Sequence, residues 1–240
     1  MDKLIYTAMS GAERLLHAQQ IRANNLANVD TNGFRADYEV AQSQDVPGYG
    51  YDARHLSHGS SEVVSLRAGA TKTTGRELDV AIMGKGYLAV AHEGGEAYTR
   101  AGSLELDADG NLILHGRAVL GDGGPIALPP HRAVSIAPDG TISVLPEDGG
   151  QMQDVDRLKL VDGEATMRKN RAGLLETQNG DPLAASETVR VRGAALENSN
   201  VVAVEEMVAV MDLSRQFEIQ MKLFQAADGM VDAGNRLIRD

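Results

Sequence analysis

The chain has 240 residues, enough for one large domain or two modest ones, and a 42% hydrophobic share can supply a core. Its 23 basic and 34 acidic residues give a formal charge of −11 with no clustered run of Lys and Arg, which argues against a broad nucleic-acid surface and against adhesion to an anionic membrane. Cysteine is absent, so disulfides, thiolate metal sites and cysteine nucleophiles are excluded together.

The opening MDKLIYTAMSGAERLL has no net positive region, and Glu13 and Arg14 interrupt it before an apolar run reaches the length of a secretory signal. No apolar run approaches the roughly 20 residues that span a bilayer. The expectation is a chain that is cytosolic, or that leaves the cytosol by a route reading no cleavable signal. Ile5, Met9, Ala12, Leu16, Ala23 and Leu26 keep a 4,3 alternation broken only by Gln19, which predicts a long helix with one apolar stripe. That helix runs into Asn24, Asn25 and Asn28. Asn is about 0.5 kcal/mol worse than Ala in a helix, so something outside the helix must offset the three of them.

Residues 35–75, including QSQDVPGYGYD and RHLSHGSSE, show little periodicity and many turn formers, and are expected to be an extended linker. Beyond them the period falls to two: Leu78, Val80 and Ile82 alternate with polar or small residues, as do several later pairs. LELDADGNLIL and VSIAPDGTISV each enclose an Asp-Gly turn between alternating apolar runs, a strong hairpin signal. A β-rich domain over 76–192 follows. From Val201, the residues Val210, Leu213, Phe217, Phe224, Ala227, Val231 and Ile238 return to 3,4 spacing, with Gln220 and Gly234 as weak points. A helix over 201–238 would be about 57 Å long. Asn198, Ser199 and Asn200 offer capping chemistry before it, and Arg236 and Arg239 suit the negative end of its dipole.

Candidate chemistry is sparse. GKGYLA at 84–89 matches a dinucleotide fingerprint, but strand-like residues follow it where a helix is required, so a tight turn is the better reading. DADGN lacks the spacing of a calcium loop. His55 and His58 have no third ligand in sequence, and no serine occupies a nucleophile elbow. No catalytic, cofactor-binding or metal-binding residue is therefore assigned. Met207, Met211 and Met221 suit plain helix packing, and also surfaces that meet several non-equivalent neighbours.

The asparagine segment NNLANVDTNGFR, Asn24 to Arg35, closely resembles the N-terminal signature of the flagellar rod, hook and hook-associated axial proteins. Its specified positions are Asn24, Asn25, Leu26, Ala27, Asn28, Thr31, Gly33 and Phe34. Leu78, Asp79, Gly84 and Gly86 resemble the strand and turn that open the family's β domain, and Tyr98, Thr99, Arg100 and Gly102 its Tyr-Thr-Arg-x-Gly element. Gly193 to Val201 resembles the segment before the C-terminal helix, with Ser199, Asn200 and Val201 in place and one extra residue between Gly193 and Leu196. The resemblance is full length, and within the family it is strongest to proximal-rod members, ahead of the distal-rod and hook paralogues.

That resemblance implies an α+β fold in which long N- and C-terminal helices form a coiled-coil or bundle core. The expected divisions are an N-terminal helix over 1–34, an extended linker over 35–75, a central β domain over 76–192 and a C-terminal helix over 193–240. It further implies a non-enzymatic building block without cofactor, exported unfolded by the flagellar type III apparatus and stacked with copies of itself and with rod paralogues into a shaft crossing the periplasm. Neither nucleic acid nor direct membrane insertion is expected. The different-class alternative is a β-rich enzyme with helical appendages. On the structural reading the three asparagines, buried between helices, would fix register by penalising slips that orphan their amides.

Overall fold

The structure is a computed structural model that describes residues 2–45, 55–93, 95–163, 167–177 and 179–239; the side chains of 2–5, 55, 58, 60–62, 235 and 237–239 fall outside the description. Two of the helix-packing expectations, Ile5 and Ile238, therefore lie outside the described side chains, as does any test of His55 and His58 as a pair. The chain divides into two units: one of residues 1–28, 37–63 and 201–240, the other of 29–36 and 64–200.

In the first unit, helix α1 (Asp2–Ala27) and helix α2 (Ala203–Arg239) accompany a two-stranded ribbon of Asp37–Asp45 and His55–Val64. The stretch expected as an extended linker thus contains paired strands. Tyr38 in the ribbon receives the Arg22 guanidinium on its ring face at 5.3 Å. Polar contacts join the helices. Gln220 Nε2 donates to the Ala8 carbonyl at 2.9 Å, Gln19 Nε2 to Ser214 Oγ at 3.4 Å, and Arg22 Nη1 pairs with Glu206 Oε1 at 3.0 Å.

The expected fold class is not what the chain adopts. Only two helices are present among the described residues, of 26 and 37 residues, against nineteen mostly short strands, and the helices do not build a coiled-coil or bundle core. The buried apolar helix residues are Ala8, Leu15, Ile21 and Ala227, two of them alanines with little area to bury. On α1 the buried side is displaced by one residue from the expected stripe: Ala8 and Leu15 are buried, while Met9 and Leu16 are 59% and 46% exposed. One residue is about 100° of helix rotation, which is enough to turn the larger apolar residues outward. A single polar-bonded helix pair has no interior comparable to that of a bundle.

The apolar interior lies in the second unit, where every member of the two core clusters is found. A five-stranded antiparallel sheet contains Tyr87–His92 and Gly95–Thr99, joined in register Leu88↔Thr99 to His92↔Gly95. Strand Val80–Met83 pairs with Arg190–Gly193, and Thr71–Thr73 with Ala195–Glu197, so the two ends of the unit lie side by side. Both Asp-Gly turns close antiparallel pairs. Leu106 faces Leu112 across Gly110, and Ile136 faces Ile142 across Gly140, with the glycines at φ 81° and 92°. Leu104, Leu112, Ile126, Ile142 and Leu158 are essentially inaccessible to water.

Candidate assembly site

The asparagine segment divides between the two units. Asn24 is exposed, Asn28 half-buried and Asn25 wholly buried. Asn25 Nδ2 donates to the Asp37 carbonyl at 3.0 Å, and the Asp37 N–H returns a bond to Asn25 Oδ1 at 2.9 Å. One side-chain amide thereby completes the backbone bonding of a strand's first residue, as a neighbouring strand would, which is the external offset that a poor helix former requires. Its partner is strand backbone rather than a second helix. Asn28 closes the helix end instead: its Nδ2 reaches the Asn24 carbonyl at 3.0 Å and Asn24 Oδ1 at 2.7 Å. Leu26 is half-buried and Ala27 exposed.

After the helix, Gly33 sits at φ 71°, and a Cβ there would lie 2.3 Å from Arg100 and Ala101 backbone atoms. Only glycine fits so close an approach at positive φ. Its N–H donates to the Glu197 carbonyl at 2.7 Å. Thr31 is exposed and accepts from the Phe34 N–H at 3.2 Å; the Phe34 ring lies 4.2 Å below the Lys169 ammonium.

Arg35 is 4% exposed and pairs through Nη2 with Glu197 Oε1 at 2.9 Å. Arg100, from the Tyr98–Gly102 element, pairs through Nη1 with Glu197 Oε2 at 2.7 Å and also donates to the carbonyls of Ile82, at 3.2 Å, and of Gly84. The Gly69 N–H adds a further bond to Glu197 Oε1 at 2.8 Å. One buried carboxylate thus holds two buried guanidiniums and a backbone amide. Burial, and then the adjacent Arg100 charge, lower the Arg35 pKa from its ordinary value, with Glu197 opposing. Arg35 and Glu197 were not singled out from sequence. The available signal was that three charged residues, Arg35, Arg100 and Glu197, stand in three separate family-like motifs.

The other β-domain positions are structural in the same sense. Tyr98 is buried; its hydroxyl accepts from the Leu183 N–H at 2.6 Å and donates to Glu96 Oε2 at 3.1 Å, and burial pushes its phenol pKa up. Thr99 Oγ1 accepts from the Ala101 N–H at 3.1 Å. Gly102 approaches Val80 so closely that a Cβ would stand 1.8 Å from the Val80 oxygen. Leu78 packs half-buried on the core, Asp79 is buried with Arg76 Nε at 3.6 Å, and Gly84 and buried Gly86 flank exposed Lys85.

Asn200 does not cap α2, which begins at Ala203 with Glu206 N–H bonded to the Val202 carbonyl at 3.1 Å. It bridges chain segments instead: Oδ1 accepts from Ala36 N–H and Nδ2 donates to the Arg67 carbonyl, both at 2.8 Å. Ser199 is half-buried and Val201 buried. On α2, Val210, Leu213, Phe217 and Val231 are half-buried and Phe224 is exposed; Ala12 is half-buried on α1. Tyr6, Met9 and Leu16 on α1, and Val204, Met207, Met211, Ile219, Leu223 and Met230 on α2, are exposed large apolar residues. Among the described residues no three His, Asp or Glu gather to hold a metal, and no helix is long and apolar enough to cross a membrane.

Comparison with known proteins gives three family matches in chain order. Residues 5–35 match the family described as "Flagella basal body rod protein", residues 81–144 "Flagellar hook protein FlgE/F/G D1 domain", and residues 192–237 "Flagellar basal body rod FlgEFG protein C-terminal". The flagellar basal-body rod protein FlgF of Escherichia coli (strain K12) is 39% identical and that of Salmonella typhimurium 38%, each over 99% of both chains. The flagellar basal-body rod protein FlgG of Bacillus subtilis is 30% identical over 95% of this chain and 96% of its own. With three family matches in chain order and relatives 38% and 39% identical over 99% of both chains, the chain belongs to the flagellar basal-body rod protein family.

Proposed function

We propose that this chain, a structural subunit of the bacterial flagellar basal-body rod, occupies the proximal rod and is held there by helix faces that the protomer leaves uncovered. The observation that carries the proposal is the row of exposed large apolar residues on both helices, Met9 and Leu16 on α1 and Met207, Met211 and Ile219 on α2 among them. Fully burying a side chain of this size is worth about 1.5–3 kcal/mol, so a few such residues covered by a neighbour supply a strong drive to associate. Methionine adapts to neighbours that are not identical, which suits a subunit lying between copies of itself and rod paralogues.

The same reading makes the chain a scaffold rather than an enzyme. It reaches the basal body through the flagellar type III apparatus without a cleaved signal and takes its position in the part of the rod that spans the periplasm. The asparagine segment, with Asn25 fixing the end of α1 to the ribbon, sets the direction in which that helix is presented. The test is replacement of Leu16 and Met211 by Gln in the full chain. The expected result is a folded, exported protein that is missing from purified basal bodies and fails to support swimming. Normal incorporation of the double variant would refute the proposal.

A further inference from the structure

The cluster of Arg35, Arg100 and Glu197 carries two positive charges and one negative, all buried. Donors remain unused within it: among the described residues, Arg35 Nε and Nη1 and Arg100 Nε have no hydrogen-bond partner. Both arginines line a cavity of about 180 Å³ whose wall also includes Leu66, Lys85 and Tyr87. Liquid water occupies about 30 Å³ per molecule, so the cavity has room for several waters or for one small acid group. Lys85 is exposed and makes no ion pair among the described residues, which places a third cation on this wall.

Native proteins rarely leave buried donors unanswered, and each such group calls for an explanation. Water could satisfy the donors but would leave the excess charge, and a neutral ligand would do the same. An anion with acceptor oxygens answers both, because hydrogen bonds from guanidinium to an oxyanion are among the stronger polar contacts. The apolar walls, Leu66 and the Tyr87 ring, which lies 5.5 Å from the Arg100 guanidinium carbon, favour a small group on a hydrocarbon stem over a heavily hydrated polyanion.

We propose that the cavity lined by Arg35, Lys85 and Arg100 is an anion site that takes a carboxylate. The carboxylate comes either from a free small acid or from an Asp or Glu of an adjoining subunit; the second source rests on the structural-subunit reading above. With 34 acidic residues in every copy, carboxylates are the abundant anion wherever such chains pack together.

Sodium acetate, titrated into the full chain against sodium chloride at matched ionic strength, tests the site, with the Nε–H NMR signals of Arg35 and Arg100 as readout. A saturable shift specific to acetate is expected. Lys85→Ala should weaken it at least fivefold with an unchanged unfolding midpoint, since Lys85 is exposed, and Lys85→Glu should abolish it. Absence of a saturable shift, or acetate binding by Lys85→Glu as tight as by the unaltered chain, overturns the proposal. Incorporation of Lys85→Glu into basal bodies separates the sources: loss supports a neighbour's carboxylate, and normal incorporation with retained acetate binding by the unaltered chain supports a free acid. Acetate binding is read on the isolated chain, so its failure leaves the structural role untouched, and failure of the structural role leaves the site standing.

Discussion

The two units handle apolar surface in opposite ways. In the β unit, Leu104, Leu112, Ile126 and Ile142 are covered by their own chain, and the buried guanidiniums of Arg35 and Arg100 share the Glu197 carboxylate. In the helical unit, Met9, Leu16, Met211 and Ile219 are exposed while Gln19, Arg22 and Gln220 make polar contacts between the helices. Buried apolar area sets protomer stability, whereas exposed apolar area sets the tendency to associate. Core substitutions in the β unit should therefore unfold it, and substitutions on the exposed helix faces should leave a folded chain that does not assemble.

The sharpest test of that contrast is Glu197→Ala, which strands two buried guanidiniums. A loss of about 3–5 kcal/mol is expected, read as a large drop in the denaturant midpoint of the β-unit transition. A change below ~1 kcal/mol would mean that the charge cluster is not what organises this unit. Next, Asn25→Ala removes both buried bonds to the N–H and carbonyl of Asp37 and should cost about 1–3 kcal/mol, whereas Asn24→Ala loses only an exposed bond and regains about 0.5 kcal/mol of helix propensity. Hydrogen exchange at the Asp37 amide separates the two variants.

Leu16→Gln should move protomer stability by no more than about 0.5 kcal/mol, since Leu16 is 46% exposed and lies outside the core, and its effect should appear in basal-body incorporation. The smallest effect belongs to the turn at Asp107. Bonds from the Asn111 side chain and backbone hold its carboxyl below the ordinary 3.8. A folded pKa below the unfolded one means that the contribution is present above pH 3.8 and is lost as pH falls through the lower folded value. Direct titration of Asp107 by NMR should find its midpoint below 3.8, and Asp107→Asn should flatten acid unfolding only slightly.

Sequence periodicity identified both helices and both Asp-Gly turns because those are local signals, set by residues within one or two turns of each other. It placed the α1 stripe on Met9 and Leu16, one residue away from the side that the protomer buries at Ala8 and Leu15. An apolar stripe says that something will cover it, and not which chain does so. The resemblance added a coiled-coil or bundle core, an expectation that the strand-rich fold replaces. The charge cluster was illegible for a different reason: Arg100 and Glu197 are 97 positions apart, Arg35 is farther still from Glu197, and no periodic pattern links them. Asn25 was legible as an anomaly, a poor helix former in a helix, but its partner, the backbone of Asp37, carries no side-chain signature at all.

The wide sequence separation within the Arg35, Arg100 and Glu197 cluster also bears on timing. A carboxylate that clasps both guanidiniums cannot do so until almost the last fifth of the polypeptide is available, and closure of so long a loop is slow. A chain delivered N-terminus first would therefore remain pliable for most of its delivery, and would lock only when Glu197 arrives.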